Sequence, residues 1–240
     1  MHLSLLSKII DLCLPRFCPI CGSRLSGEEE CICMSCNLHL PRTDTWQHPT
    51  DNEMAKLFWH RIPIVGSCAL FYYTGHSPAS NILYQLKYGN HPDIGIYMGH
   101  LLADEAMRTN FFDDIDAIVP IPLAKSRKRE RGYNQSEAIA QGLSEATHLP
   151  IIKDIVKRKT FTESQTHKNR WERANNVEQV FELNKAYQPN GHKAHDMEGK
   201  HLLIVDDVCT TGATIISCCQ EMIKITHVRF SVLTIGYAKG

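Results

Sequence analysis

The sequence has no excess of charge of either sign and no long hydrophobic run, and each absence excludes a class of protein. Its 26 basic residues balance its 26 acidic residues, so the net charge does not call for nucleic acid or an anionic membrane surface. No segment approaches the roughly 18 apolar residues of a transmembrane helix. The start of the chain interrupts its apolar residues with Lys8 and Asp11 and has no small-residue cleavage site, which is atypical of a secretory signal. We therefore expect a cytoplasmic protein without a membrane span.

Several short motifs that mark large enzyme classes are also absent. There is no HExxH zinc-protease motif, no GxGxxG dinucleotide fingerprint and no Walker loop with its lysine. The chain has no internal repeat and no low-complexity tract. Its function therefore has to be sought in other patterns of residues.

The chain instead shows an alternation of predicted strands and helices. Strands are predicted over 65–73, 115–123, 201–205 and 227–238, and helices over 77–88, 91–108, 134–148 and 214–224. This alternation favours an α/β domain with a mainly parallel sheet. We expect a cysteine-rich element with a short amphipathic N-terminal helix over 1–43, a polar linker over 44–62, and the α/β domain over 63–240.

Five of the ten cysteines lie within residues 18–36, and four of them form two CxxC pairs. Cys18 and Cys21 make the first pair, and Cys33 and Cys36 make the second. Four thiolates on two tight turns suit a tetrahedral Zn²⁺ ion, and because all four positions are filled the ion is expected to be structural. Cys31 leaves an alternative open, because it could replace Cys33, although the resulting spacing makes a poorer chelate. An element with so few apolar residues needs a bound metal ion to fold.

The stretch LLIVDDVCTTGATI, residues 202–215, runs from a buried strand into two adjacent carboxylates, Asp206 and Asp207. Ligands of parallel α/β sheets bind beyond the carboxyl ends of the strands, which is where these acids are expected. The turn that follows consists of Thr210, Thr211, Gly212, Ala213 and Thr214. A helix N-terminus with a glycine and free hydroxyls suits a phosphate. The segment therefore offers hydrogen-bond acceptors for a diol next to a binding site for a phosphate. A ribose 5-phosphate carries both of these groups.

Other interpretations of this stretch are weaker. An acidic pair that binds Mg²⁺ in a phosphoacceptor domain needs a further aspartate on a later strand, and only one predicted strand follows. A solvated Asp-Asp turn with a capping threonine leaves the order TTGAT unexplained. Cys209 lies in the same turn, where a helix N-terminus lowers the pKa of a thiol, although burial as a small hydrophobic residue is the alternative.

The order of apolar strand, two acids and TTGAT resembles the signature with which type I phosphoribosyltransferases bind 5-phosphoribosyl 1-pyrophosphate (PRPP). Three further stretches resemble the ComF/GntX family of phosphoribosyltransferase-like proteins, which is linked to DNA uptake in competence. They are ILYQLKYGN at 82–90, VPIPLAKSRKRERGYNQSEAIAQGL at 119–143 and RKTFTESQTHKNRWERANNVEQVF at 158–181. The resemblance covers roughly residues 13–240. It implies a Rossmann-like type I phosphoribosyltransferase fold behind a small N-terminal zinc knuckle.

The resemblance also implies a ligand and a set of site residues. The ligand is PRPP with Mg²⁺, whose ribose Asp206 and Asp207 would hold while residues 210–214 hold the 5-phosphate. The loop that receives pyrophosphate or the acceptor would comprise Lys87, Pro122, Arg131, Gly132, Asn134 and Gln135. Gln165 and Arg173 belong to a stretch that resembles the mobile flap of such enzymes.

If the protein transfers a phosphoribosyl group, Asp206, Asp207 and Arg131 are the candidate catalytic residues, and catalysis comes from positioning and charge neutralisation. No residue is identifiable as a general base, and the acceptor stays open. Glutamine-dependent transfer is not expected, because it needs a cysteine directly after Met1 and the second residue is His2. For the basic turn an alternative also stays open, in which its charges are solvated and Asn134 caps the next helix.

A different class of function also fits the sequence. The protein could be a binding module that uses PRPP or a nucleotide as a signal and handles single-stranded DNA or a DNA-uptake helicase. The basic residues of 125–131, the zinc knuckle, and Trp46 and Trp59 would then bind and stack the strand. A catalytically inactive phosphoribosyltransferase scaffold is a third hypothesis, which the intact acidic and threonine motif disfavours.

Overall fold

The computed structural model describes residues 15–75, 77–159 and 180–239. The predicted N-terminal amphipathic helix and the flap residues Gln165 and Arg173 lie outside these ranges. Within them the chain forms a central parallel sheet with helices on both faces, which confirms the predicted α/β class. No helix in these ranges is long and apolar enough to cross a membrane.

The strands run in chain order as β1 (Ile64–Tyr72), β2 (Ala117–Pro120), β3 (Val156–Arg158), β4 (Phe181–Leu183), β5 (His201–Cys209) and β6 (Arg229–Tyr237). Four of them form the central sheet in the order β1-β6-β5-β2, and every neighbouring pair is parallel. β3 and β4 form a separate antiparallel pair. The first five residues of β5 are all buried, as expected of a strand that is covered on both faces of a parallel sheet.

The helices are α1 (Met34–Leu38), α2 (Glu53–Lys56), α3 (Ser80–Tyr88), α4 (Pro92–Ala106), α5 (Lys125–Arg131), α6 (Gln135–Thr147) and α7 (Ala213–Met222). α3, α4 and α6 pack on one face of the sheet, and α7 packs on the other. Leu203 and Val205 of β5 belong to the first core, and Leu202 and Ile204 belong to the second. This division follows from the alternation of side chains along a strand.

The cysteine-rich element packs directly on the α/β domain. Ile20 is buried in the same hydrophobic core as Leu86 of α3, and Asn81 Nδ2 donates to the Ile20 carbonyl at 3.2 Å. Near the end of the element, Arg42 Nε forms an ion pair with Oε1 of the buried Glu105 in α4 at 2.6 Å. The helices that cover one face of the sheet therefore also hold this element.

Residues 44–62, predicted to be a polar linker, are packed against the sheet instead. They form a short 3-10 helix at Thr45–Gln47 and then α2. Trp46, Met54 and Phe58 are buried. The polar residues around Pro49 and Asp51 misled the prediction, although Met54 and Phe58 lie four residues apart, which is the spacing of one helix face.

Three differences from the prediction bear on the site. The helix predicted from residue 77 begins at Ser80. The basic stretch expected to be a turn forms α5, which has no buried residue and ends at Gly132 in the left-handed conformation. β5 continues to Cys209, because the residues after 205 stay paired with β6. The two adjacent acids therefore lie within the strand rather than beyond its end.

Candidate functional site

A cavity of about 360 Å³ opens at the edge of the sheet where β2 and β5 end. Its acidic groups come from Asp206 and Asp207. Its cationic groups come from Lys87, Arg127, Arg131 and Arg158. Its hydroxyl groups come from Tyr73, Ser136, Thr210 and Thr214. Because four cations face two acids, the cavity favours an anionic ligand.

The two adjacent acids are held from different helices. Asp207 Oδ2 forms an ion pair with Lys87 Nζ of α3 at 3.1 Å. Asp206 Oδ1 accepts hydrogen bonds from Ser136 Oγ of α6 at 3.0 Å and from the Asp207 N–H at 2.9 Å. Since neighbouring strand residues point to opposite faces of the sheet, the two carboxylates reach the cavity from different sides. Each has its own partner at the sheet edge.

The surroundings of Asp206 also change its protonation. Burial, followed by the charge of Asp207, raises the pKa of Asp206 to about 7. The bonds from the Asp207 N–H and from Ser136, and the charge of Lys87, oppose this rise. At neutral pH the repulsion between the acids is therefore relieved twice, by a cation at Asp207 and by partial protonation at Asp206. A carboxyl group that titrates near neutrality can accept from, or donate to, a sugar hydroxyl.

The turn of residues 210–214 exposes the side chains of its three threonines beside the acids. Gly212 is the N-cap of α7 and has a φ of 71°, a left-handed conformation that favours glycine. A Cβ added there would lie 2.9 Å from Phe58 Cε1, so Phe58 packs directly under the turn. The first amide groups of α7 have no carbonyl partner within the helix, and the positive end of the helix dipole lies there. The turn is therefore suited to a phosphate.

The connection from β2 to α6 uses some predicted site residues for structure. Asn134 is buried, its Nδ2 donates to the Ile121 carbonyl at 3.0 Å, and its Oδ1 accepts from the Ser136 N–H at 3.2 Å. It therefore caps α6 and also forms part of the cavity wall. Pro122 and Gly132 lie in the connection without lining the cavity.

Arg131 and Gln135 form a linked pair at the cavity wall. Arg131 Nη1 donates to Gln135 Oε1 at 2.9 Å, and Arg131 Cζ lies 5.5 Å from the centroid of the Tyr88 ring. Gln135 is buried, and its Nε2 has no hydrogen-bond partner within the part of the chain that the structure describes. A ligand oxygen or a water in the cavity would satisfy this donor.

The cavity is also lined by Ser136, which the sequence did not indicate, by Arg127 of the basic stretch, and by Arg158, which was expected in the stretch that resembles a flap. Ser136 has the sequence position of an ordinary first-turn helix residue. Arg158 ends β3, and its Cζ lies 5.3 Å from the centroid of the Phe181 ring. Burial and then the charge of Arg127 lower the pKa of Arg158, so two guanidinium groups approach the same space. No local pattern could reveal this approach, because the two arginines lie on separate elements, α5 and β3, that line one cavity.

A second site lies in the cysteine-rich element. The Sγ atoms of Cys18, Cys21, Cys33 and Cys36 all lie within 4.8 Å of one another, and in the described residues this is the one cluster suited to a metal ion. The Sγ atoms of Cys21 and Cys33 are 3.7 Å apart. Tetrahedral Zn²⁺ with Zn–S bonds of about 2.3 Å separates its sulfur ligands by about 3.8 Å, so the cluster fits zinc.

The fifth cysteine of the element, Cys31, is distinguished from the four clustered cysteines by its position. Hydrogen bonds from Ser23 lower the pKa of Cys21 to about 6, which favours the thiolate that a metal requires. Burial raises the pKa of Cys31 to about 12, and this thiol lies outside the cluster. The geometry therefore favours Cys33 over Cys31 as the fourth ligand.

Serine in place of Cys18 or Cys36 should release zinc and destabilise the N-terminal element, because binding energy at such sites is folding energy. Serine in place of Cys31 should leave about one zinc ion per chain, because that thiol is outside the cluster. Metal analysis of the purified variants beside the parent checks this. Zinc lost from Cys31→Ser but retained by Cys33→Ser would overturn the ligand assignment.

Burial argues against two hypotheses from the sequence, that the Cys209 thiol is reactive and that Trp46 stacks on a nucleobase. Cys209 is buried, and burial raises the pKa of its thiol to about 12, so it is a packed thiol rather than a reactive one. Trp46 is also buried and has no face open to a nucleobase. Trp59 is 39% exposed and keeps part of its ring accessible.

Comparison with known proteins places the cavity in a recognised domain. The model of the phosphoribosyl transferase domain matches residues 94–233, a range that contains both acids and the threonine turn. DNA utilization protein YhgH of Escherichia coli strain K12 is 30% identical over 215 residues, 86% of this chain and 84% of the relative. Competence protein F of Haemophilus influenzae is 31% identical over 160 residues, 65% of this chain and 64% of the relative. Competence protein ComFC of Bacillus subtilis is 35% identical over 98 residues, 41% of this chain and 34% of the relative.

Proposed function

This chain belongs to the ComF family of phosphoribosyltransferase-like proteins, and from that premise we propose that it binds PRPP with Mg²⁺ and transfers the phosphoribosyl group to an acceptor. The observation that supports the proposal best is that the two acids, together with Thr210 and Thr214 of the turn, line one cavity that is rich in cations. A sugar with a free diol and a terminal phosphate needs hydrogen-bond acceptors and an anion cradle side by side. The cationic side chains of the cavity are then available to bind the pyrophosphate.

The proposed complex spans the edge of the sheet. Asp206 and Asp207 interact with the 2- and 3-hydroxyls, and the N-terminus of α7 binds the 5-phosphate. In the transfer, a nucleophilic atom of the acceptor bonds to C1 as the bond between C1 and the pyrophosphate oxygen breaks. Pyrophosphate leaves with the electron pair, and the cationic side chains of the cavity stabilise its growing negative charge.

The residues of the cavity also indicate how Mg²⁺ would be held. Asp207 is paired with Lys87, and Asp206 is partly protonated at neutral pH. The described residues contain no cluster of three acidic or histidine side chains. Mg²⁺ in phosphate sites is held by substrate phosphates, waters and one or two carboxylates. The cavity therefore suits an ion that arrives with PRPP and neutralises charge on its pyrophosphate.

Arg131→Ala should weaken PRPP binding by about tenfold and ribose 5-phosphate binding far less. The reason is that the guanidinium is assigned to pyrophosphate, which ribose 5-phosphate lacks. Calorimetric titration with both ligands measures the difference. Arg129→Ala is the matched control, since this arginine lies on the same exposed helix but does not line the cavity. Equal losses for the two ligands in Arg131→Ala would remove the assignment.

We also propose that the chain acts in the handling of incoming DNA, because the names of its relatives concern DNA utilization and competence. α5 favours a contact with single-stranded DNA, since it has no buried residue and carries five basic ones at the mouth of the cavity. The exposed part of Trp59 is the remaining candidate for stacking from the sequence hypothesis. A titration with single-stranded DNA at two salt concentrations tests this, because phosphate contacts weaken with salt. If single-stranded DNA does not bind even at low salt, the proposed DNA contact is wrong and only the phosphoribosyl function remains proposed.

A further inference from the structure

The first of the two turns that carry the clustered cysteines is attached to α3. Ile20 lies between Cys18 and Cys21. Its carbonyl accepts a hydrogen bond from Asn81 Nδ2, in the first turn of α3, at 3.2 Å. Its side chain is buried in the same hydrophobic core as Leu86, near the other end of that helix. The position of this cysteine turn and the position of α3 are therefore linked.

The second cysteine turn is attached to α4. Asn37 directly follows Cys36, and its carbonyl and its Oδ1 accept hydrogen bonds from the Arg42 guanidinium at 3.1 Å and 2.6 Å. Nε of the same guanidinium donates to Oε1 of the buried Glu105 in α4 at 2.6 Å. A tetrahedral zinc ion fixes the distances between its four sulfur ligands. It would therefore fix the two turns, and the helices attached to them, relative to each other.

The same helices lead to the two acids of the sheet-edge cavity. Lys87 lies on α3 about 9 Å along the helix axis from Asn81, and its Nζ reaches Asp207 Oδ2 at 3.1 Å. α4 packs backbone to backbone on α6. Ser136 of α6 donates to Asp206 Oδ1 at 3.0 Å. The partner of each acid is therefore held by a helix that is attached, directly or through α4, to the cysteine-rich element.

α3 is suited to transmit a displacement from one end to the other. It has nine residues, and near its C-terminal end the Tyr133 hydroxyl donates to the Leu86 carbonyl. A cavity of about 750 Å³ lies between the cysteine-rich element and α3, where Asn81 and Gln85 line it. The helix therefore has space on this side, and a shift of the first cysteine turn can move it as a rigid body.

We propose that Ile20 and Asn81 are positioning residues for the sheet-edge cavity, which transmit the geometry of the zinc site to Lys87 and hold it at Asp207. Zinc binding and ligand binding then favour each other, because each stabilises the same position of α3. The inference rests on the proposed function, since the ligand is the PRPP named there. The cysteine-rich element thus acts on the affinity of the cavity as well as on its own folding.

The test measures the zinc affinity of the full chain by competition with a zinc chelator, with and without PRPP, in one Mg²⁺ buffer. Saturating PRPP should raise the zinc affinity of the parent by about tenfold, and a further increase in PRPP should add nothing. If zinc only kept the chain folded, the zinc affinity would rise in proportion to PRPP, because the ligand would then select the folded state. A rise without a plateau, or no rise at all, would overturn the proposal.

Two variants test the route of the coupling. Asn81→Ala should retain about one zinc ion per chain but reduce the effect of PRPP from about tenfold to about twofold, since one hydrogen bond is lost. Lys87→Met keeps the length of the side chain without its charge. It should abolish the effect even when PRPP is raised to saturate this weaker variant. A full tenfold effect in either variant would show that the coupling does not pass through these residues, and would overturn the proposal.

Gln85→Ala is the matched control for Asn81→Ala. Gln85 lies on the same helix and lines the same cavity of about 750 Å³, but within the described ranges its side chain makes no hydrogen bond to the cysteine-rich element. It should keep the tenfold effect. Calorimetric titration of the parent with PRPP separates the two proposals. If PRPP does not bind, the proposed function is wrong and the coupling is wrong with it, whereas binding without a change in zinc affinity makes only the coupling wrong.

Discussion

Mg²⁺-PRPP should bind on the order of tenfold to a hundredfold more weakly when either Asp206 or Asp207 is replaced by asparagine. Each carboxylate accepts a bond from one sugar hydroxyl in the proposed complex, and charge-assisted hydrogen bonds contribute about 1.5–3 kcal/mol each. Asparagine keeps the shape and one acceptor oxygen but carries no charge. Titration at pH 8 is the suitable measurement, because the pKa of Asp206 is about 7 and its carboxylate is then mostly ionised. Unchanged affinity in both variants would refute the phosphoribosyl function.

Thermal melts of the ligand-free Asp206→Asn protein separate a binding role from a folding role. In the unfolded chain an aspartate titrates near a pKa of about 3.9, whereas burial raises the pKa of folded Asp206 to about 7. Between these values the unfolded chain has released a proton that the folded protein retains, so the stability of the parent falls as pH rises through this window. The contribution of Asp206 is complete below about pH 4 and lost above about pH 7. The asparagine side chain does not titrate, so the variant should gain in Tm relative to the parent from pH 4 to pH 8.

Asp207→Asn should show a different melt. Its partner Lys87 loses an ion pair at 3.1 Å, but the lysine side chain is 28% exposed, so solvent offsets the loss. Partly exposed pairs of this kind contribute about 0–1 kcal/mol. We therefore expect a small fall in Tm without the pH-dependent gain of the Asp206 variant. Collapse of the fold in either variant would make that acid structural, and the same pH trend in both would contradict their separate environments.

The chemistry of the cavity could be predicted where its residues are close along the chain. Asp206 and Asp207 lie near the end of one buried strand and residues 210–214 follow it, so their order alone places acceptors beside a helix N-terminus. The ion pair between Lys87 and Asp207 could not be predicted in the same way. Its two members are far apart in sequence, and their contact depends on where α3 ends over the sheet. Composition and periodicity predict elements, whereas tertiary packing decides which side chains meet.

Residues 44–62 show how composition can conceal a structural role. Their polar residues suggest a solvated connection, yet Phe58 is buried and lies where a Cβ of Gly212 would meet it. The segment therefore supports the turn that is proposed to bind phosphate. The four cysteines were easier to interpret, because thiol spacing carries the geometry of the site within itself. That their element would pack on α3 and α4 required the structure.

Gly142→Ala should lower the free energy of unfolding by about 2 kcal/mol, although alanine is the better helix former. A Cβ added at Gly142 of α6 would lie 2.0 Å from the Ile96 carbonyl oxygen and 3.0 Å from the His100 amide nitrogen, both in α4. These are backbone atoms, so a side chain cannot turn aside and the two helices must separate. Overpacking of this kind costs about 1–3 kcal/mol and sometimes more, whereas alanine in a helix returns about 1 kcal/mol relative to glycine. The contact therefore outweighs the propensity.

The separation of α4 and α6 should also change the cavity. α6 begins after the Asn134 cap and carries Ser136, whose hydroxyl donates a hydrogen bond to Asp206 at 3.0 Å. Displacement of this group should weaken PRPP binding by about tenfold in protein that is still folded. Urea unfolding and calorimetric titration test both effects. Gly75→Ala is the control, since a Cβ there meets nothing within 4 Å, and it should match the parent. Equal stability of the two variants would show that α4 and α6 accommodate a methyl group, and their close approach would then not be what fixes Ser136 at the acid.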